Sequence, residues 1–325
     1  MNKIVCFGEA LIDFLAEPTQ GRAVAQSYLR NAGGAPANVA VAVAKLGGKA
    51  AFVGMFSQDT FGDFLLDSLD DAGVDTSFAV RTGLANTALA FVSLSEQGER
   101  SFSFYRPPAA DLLFREEHFS DACFAGAYAF HTCSNSMTEA DIAEVTLTGM
   151  QRARDAGALV SFDMNLRLPL WHEAIDPAPC LWQALRAADL VKLSADELAY
   201  LAADAGSEQL ALERIWRGNA RLLIVTHGAD AMRWHTREMQ GSVDVFRTRA
   251  VDTTAAGDAF VGGFLTYLAE QQVKSADLPQ FARSGALHNA LRFAAACGAI
   301  AVTRLGAFAA MPTRGDIEHV LGVAV

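Results

Sequence analysis

Short apolar runs recur along this 325-residue chain, each closed by polar residues and most followed by a stretch with helical spacing. Positions 4–8, 50–55, 127–131, 158–163, 190–193 and 222–226 are such runs. A run with no polar alternation suits a strand buried on both faces, and strands separated by helices pair in parallel. The expected fold class is therefore α/β, with three layers and a mainly parallel central sheet. Helices are expected at 37–46, 61–71, 139–156 and 290–304. In open parallel sheets the ligand lies beyond the carboxyl ends of the strands. Polar residues gather there: Glu9 and Asp13, Asp163 to Arg167, Ser194 to Glu197, and Thr226 to Gly228. One cleft along one sheet edge is expected.

Two segments fit that sheet badly. Segment 14–30 alternates poorly and holds Pro18 and Gly21, while 87–94 and 100–105 are strand-like runs joined by SEQGE at 95–99. Segments 14–30 and 87–106 are expected to form a small antiparallel sheet outside the main layer.

With 51% hydrophobic and 19% charged residues, the chain can bury a large core. Its net charge of −11 argues against nucleic acid and anionic membranes as partners. No run is long and apolar enough to span a bilayer. Cys6, Cys123, Cys133, Cys180 and Cys297 lie far apart without a C-x-x-C pair, which suits reduced thiols and a cytoplasmic location. G-x-x-x-x-G-K-[ST], H-E-x-x-H and G-x-S-x-G are absent, and no G-x-G-x-x-G follows the first strand.

The chemistry concentrates in VDTTAAGDAFVGGF at 251–264. Ala255, Ala256 and Gly257 lead into Asp258, and Phe260, Phe264 and Leu268 then fall four apart. A helix is expected to begin near Ala256 with Asp258 in its first turn. The first N–H groups of a helix lack partners and carry the positive end of its dipole, so small residues there can cradle a phosphate. Asp258 would stand ready to take a proton from an attacking hydroxyl, with the dipole expected to keep its pKa low. The plainer alternative is that Thr253 or Thr254 caps a core helix and Asp258 complements its dipole.

This stretch resembles the second signature of the ribokinase-type (PfkB) carbohydrate kinases, D-T-x-x-A-G-D. NAGGAPANVAVAVAKLGGKAAFVG, at 31–54, resembles the first. The likeness runs from Ile4 to about Pro312. It implies a single ribokinase-like domain over 1–325, with segments 14–30 and 87–106 as a β lid that also forms a homodimer contact. It implies ATP and Mg²⁺, with Asp258 as base and the amides of Ala255, Ala256 and Gly257 as anion hole. Asp13, Gly33, Gly34 and Asn38 match sugar-contact positions. Asp163-x-Asn165-x-Arg167 resembles a D-x-N-x-R segment near substrate and phosphates, an Asp163–Arg167 ion pair being the plain alternative. Phe102, Phe104 and Arg106 would be lid residues facing the sugar.

For the nucleotide, Lys192, Ser194 and Glu197 look like the family's N-x-x-E region, with Glu197 acting on Mg²⁺ through water. Thr226 and Gly228 match an adenine-ribose loop. Where the family binds K⁺, the matching positions are Asp252, Thr254, Ala301, Arg304 and Gly306. Two departures stand out: Ala255 replaces a frequent glycine, and Ala295 replaces an asparagine or histidine that often lines the adenine pocket. GEALIDF, GGAPANVAVA, YRPPAADLLF and VKLSADEL together look most like bacterial fructokinases. The alternative acceptors are ribose, a nucleoside, aminoimidazole riboside or 2-keto-3-deoxygluconate. A non-catalytic sugar- or nucleotide-binding protein is the rival from another class.

Overall fold

The computed structural model describes residues 3–17, 27–94 and 100–322; Pro18, Gly21 and the SEQGE turn lie outside the described residues. The first half of the chain supplies β1 (Ile4–Phe7), β2 (Leu11–Ala16), β3 (Tyr28–Gly33), β4 (Ala50–Ser57) and β5 (Asp75–Thr82). β6 (Leu89–Leu94), β7 (Arg100–Tyr105), β8 (Ala129–Cys133) and β9 (Leu159–Asp163) follow. The last four are β10 (Leu190–Ser194), β11 (Leu222–His227), β12 (Asp230–His235) and β13 (Gln240–Val243).

Nine strands form the main sheet in the order β13-β12-β11-β10-β9-β8-β1-β4-β5. Every pairing from β11 to β5 is parallel, and β12 and β13 add an antiparallel edge. That edge carries no apolar run because one of its faces is wet: Met232 is buried while Asp230, Ala231 and Arg233 are exposed. The central strands are apolar throughout for the opposite reason. Ile4 and Cys6 enter one core with Ala129 and Leu159, while Val5 and Phe7 enter the other with Phe130 and Val160. Helices cover both faces, as alternating strands and helices require.

Ala35–Lys45 is helical despite its Val-Ala repeat. Gly34 and Pro36 start it, and it is buried on every face as far as Val43. Close packing overrides the weak helix preference of valine. A Cβ at Gly262 of the helix Ala256–Glu270 would come within 2.5 Å of Ala42 Cβ, so these two helices touch almost backbone to backbone.

The second sheet runs β3-β2-β6-β7. Two antiparallel pairs, β2–β3 and β6–β7, join through a parallel β2–β6 contact. Neighbours in register share a face. Asp13, Asn31, Ala90 and Phe104 therefore look one way, and Phe14, Arg30 and Phe91 the other. The latter face meets the helix Thr60–Asp71, where Phe14 packs on Phe61 and the Arg30 guanidinium lies 3.8 Å from the Phe64 ring centroid. Asp13 is thus carried by this smaller sheet, which begins three residues earlier than position 14.

Candidate active site

At the carboxyl ends of β1, β8, β9, β10 and β11 lies a cavity of about 440 Å³. The helix Ala256–Glu270 opens onto it, and no side chain caps that helix. The Thr253 and Thr254 capping alternative is therefore set aside. In the first turn the Ala256 N–H has only a long 3.5 Å contact to the Thr253 carbonyl, and a helix N-terminus favours an anion.

Asp258 stands in that turn, 6% exposed and lining the cavity. Its Oδ2 accepts from Asn38 Nδ2 at 2.7 Å and its Oδ1 from Asn165 Nδ2 at 3.2 Å. Asn38 is fixed by the first turn of the helix Ala35–Lys45. Asn165 follows β9 in a left-handed conformation (φ 39°), its own N–H donating to Asp163 Oδ1. Two amides from distant parts of the chain thus hold the carboxylate.

The dipole does not set the charge of Asp258. Burial pushes its carboxyl up to about 7, against the lowering effect of the Asn38 bond, and the negative charge of Asp163 adds to the rise. Loss of hydration outweighs the favourable helix end. Asp13 is likewise pushed up to about 7, by burial first and then by Asp258, Asp252 and Glu9.

Lys192 Nζ lies 3.1 Å from both oxygens of Asp163. The plain alternative, an Asp163–Arg167 pair, is therefore set aside; Arg167 is exposed, lines the cavity and donates to the carbonyl of Leu166. Burial disfavours a charged Lys192, yet Asp163 and Glu197 outweigh it and raise its pKa. Asp163 is pushed up to about 6, burial exceeding the pull of Lys192. A Cβ at Gly257 would sit 3.2 Å from Lys192 Nζ, so the ammonium stands beside the helix start.

Ser194 and Glu197 form a capping box on the helix Ala195–Ala205. Glu197 Oε2 accepts the N–H of Ser194 at 2.7 Å and Oε1 that of Leu166 at 2.8 Å. Both residues also line the cavity.

A second cavity, about 370 Å³, adjoins the first and shares Thr226, Thr253 and Gly257 with it. Met232, Phe246, Phe260, Ala295 and Val302 give it apolar walls, and Gly228 lies at its rim loop. A flat apolar group fits this slot, and Gly257 lies where the two cavities meet.

The sequence pattern described as pfkB family carbohydrate kinase matches residues 1–314. The chain belongs to this family. Probable fructokinase-5 of Arabidopsis thaliana is 41% identical over 324 residues, 98% of this chain and 97% of its own. The structure of fructokinase with bound ATP from Xylella fastidiosa superposes with a TM-score of 0.94 at 55% identity, covering 98% of each chain. Fructokinase from Vibrio cholerae O395, in a form with fructose, ADP and calcium ion bound, gives a TM-score of 0.84 at 31% identity and 98% coverage of each.

In this pfkB-family chain most of the expected residues converge. Asp13, Gly34, Asn38, Phe104, Asn165 and Arg167 line the larger cavity, with Lys192, Ser194, Glu197, Thr226, Thr254, Ala255, Gly257 and Asp258. Ala256 lines the smaller one. Gly33 stands behind the cavity wall: a Cβ there would meet Asp13 Oδ2 at 2.2 Å, so its part is to make room for that carboxylate. Phe102 pairs with Val92, and its side chain lies outside the described residues. Arg106 lines neither cavity: it is 2% exposed and bonded to Asp111, because a buried guanidinium needs a carboxylate partner.

Asp252 accepts the N–H of Thr254 on Oδ1 and that of Gly306 on Oδ2, while the Ala301 carbonyl accepts from Arg304 N–H. The Arg304 side chain pairs with Asp316. Among residues not assigned from sequence, Glu9 and Asn135 line the larger cavity. Their signal was weak but present, since each is polar and lies two residues past the end of a parallel strand.

Ala255 is left-handed (φ 59°). A residue with a Cβ pays about 1–2 kcal/mol for that conformation. Ala255→Gly removes this strain but loosens the unfolded chain by about 0.4–1 kcal/mol. A net stabilisation of about 0.5–1 kcal/mol is expected. The midpoint of urea unfolding checks it, and an unchanged or lower midpoint contradicts the account.

Proposed function

We propose that this chain transfers the γ-phosphoryl group of ATP to a primary hydroxyl of fructose. The observation that carries the proposal is the uncapped helix start shared by two cavities, one apolar and one rich in carboxylates and amides, with Asp258 on the polar side. The fructose, ADP and ATP of the neighbouring fructokinase structures support the choice of substrates.

In this reading the apolar slot takes adenine, Thr226 and Gly228 border the ribose, and Gly257 lets the phosphates pass. The Ala255, Ala256 and Gly257 amides, with Lys192, hold the charge of the group in transfer, where little covalent chemistry is asked of the protein. Asp13, Gly34 and Asn38 grip the sugar, with Phe104 above it and Arg167 nearby. Asp258 takes the hydroxyl proton as the oxygen bonds to the γ-phosphorus and the bond to the β-phosphate breaks. Asn38 and Asn165 fix its two oxygens so that the remaining lone pairs face the sugar. The smaller sheet serves as the lid that excludes water, which would otherwise compete as acceptor.

Among the described residues no three His, Cys, Asp or Glu side chains cluster as a metal site. Glu197 spends each oxygen on one backbone N–H and keeps lone pairs for water, which fits Mg²⁺ arriving with the phosphates and held through its hydration shell. Mg²⁺ there supplies charge neutralisation. The all-oxygen set of the Asp252 carboxylate and the carbonyls of Thr254, Ala301 and Arg304, beside Gly306, suits K⁺, which would fix the loop entering the anion hole. Tyr28, Phe91 and Tyr105 form an aromatic edge, two of its rings exposed, on the outer face of the lid, and we assign a homodimer contact to it. No helix of the described residues is long and apolar enough to cross a membrane. Five free thiols support the cytoplasm as location.

ADP release measured with ATP and a panel of fructose, ribose, a nucleoside, aminoimidazole riboside and 2-keto-3-deoxygluconate tests the assignment. The highest kcat/KM is expected with fructose, and a larger value for any other acceptor overturns it. The same assay gives the pH dependence. Asp258 must be unprotonated to act, and its folded pKa lies near 7. The kcat/KM is therefore expected to rise with pH through about 7 and then level. Stability without ligand runs the other way. The folded chain keeps a proton that the unfolded chain has lost, so unfolding free energy falls as pH rises from 3.8 towards about 7.

A further inference from the structure

The foot of the lid is tied to the main sheet by charges that water does not reach. Arg106 directly follows β7, and its Nε and Nη2 donate to Asp111 Oδ2 at 2.9 and 2.5 Å. Its Nη1 donates to Thr138 Oγ1 at 3.3 Å. Glu9, 1% exposed, supplies the second negative charge acting on it. The Glu9 carboxylate in turn accepts from Ala35 N–H at 3.1 Å, Asn135 Nδ2 at 3.1 Å and Ser136 Oγ at 3.2 Å.

A buried ion cluster of this kind is weak evidence for stability, because apolar residues of the same volume often do as well. What it does achieve here is placement. Glu9 and Asn135 are walls of the sugar cavity, and Ala35 opens the helix that delivers Asn38 to both the sugar and Asp258. Arg106 and Asp111 line neither cavity, and the nucleotide slot takes none of these residues.

We propose that Arg106 is a positioning residue for the sugar: from the foot of the lid it holds Thr138, which closes the turn Ser134–Met137, and that turn brings Asn135 and Ser136 onto the Glu9 carboxylate beside the acceptor. The lid and the sugar cavity are thereby coupled through one buried guanidinium. The inference rests on the sugar-kinase reading above.

The test is steady-state kinetics of Arg106→Met, Arg106→Lys and Asp111→Asn, with KM for sugar and for ATP measured separately and the melting midpoint recorded. Arg106→Met is expected to raise the KM for fructose about 10- to 100-fold, the scale of a misplacement of about 1 Å. The KM for ATP is expected to stay within about twofold, because the slot shares nothing with the cluster. Arg106→Lys recovers part of the loss, since it keeps the charge but not the fork. Asp111→Asn shifts the sugar KM in the same direction and decides the matter if Arg106→Met does not fold. A merely structural role lowers the midpoint and leaves both KM values alone; that result, or equal rises in both, overturns the proposal. If the wild type prefers another acceptor, the fructose assignment fails and the same comparison is made with that acceptor, so the two failures stay distinct.

Discussion

Asp258→Asn is expected to lower kcat on fructose by about 100- to 10,000-fold, the usual contribution of a positioned general base. The substitution keeps the shape of the side chain but replaces one acceptor oxygen with a donor. Both of its present partners, Asn38 Nδ2 and Asn165 Nδ2, are themselves donors. One of those two bonds is lost, and nothing remains to receive the hydroxyl proton. The KM for ATP is expected to change little, because Asp258 lines the larger cavity and not the apolar one assigned to the nucleotide base. ADP release in the steady state measures the effect. A variant that keeps kcat within about tenfold would remove Asp258 from the role of base. The step near pH 7 in kcat/KM should disappear with it.

Lys192→Met has the second large effect, and it has two separable parts. Removing one partner of a buried ion pair leaves the other uncompensated and costs about 3–5 kcal/mol. Here the stranded group is Asp163, 2% exposed and held by Lys192 at 3.1 Å. The second part is catalytic: loss of a cation beside the anion hole is expected to cost about 100- to 1,000-fold in kcat. The double variant Lys192→Met/Asp163→Asn separates the two. It should regain most of the urea midpoint, since no buried charge is left alone, and none of the kcat. If the double variant recovers turnover as well, Lys192 serves the fold and not the phosphoryl group.

Much of this is legible in the amino-acid sequence alone. Six runs such as 158–163 and 222–226 mark strands because a parallel strand buried on both faces has no polar alternation. The observed bounds of these six strands lie within two residues of the expected ones at every end. The helix start at Ala256 was legible for a different reason, since small residues before a four-residue apolar spacing leave an accessible first turn. β12 and β13 escaped notice because their wet face dilutes the pattern. Pairings across the chain were out of reach: 220 residues separate Asn38 from Asp258, and 29 separate Asp163 from Lys192. The spacing D-x-N-x-R suggests Arg167 as partner of Asp163 on proximity alone, whereas the ladder between β9 and β10 puts Lys192 in register with it.

By itself the sequence determined the layered α/β architecture, the helix tip and the carboxylate beside it, because each is written in residues close to one another along the chain. The tertiary structure decided which charges face the acceptor. It turned Arg106 inward to Asp111, gave Lys192 to Asp163, and raised Asp258 to about 7 where a helix end alone would have lowered it. Desolvation and ion pairing depend on everything packed around a group, and that surrounding is assembled from segments that only the folded sheet order brings together.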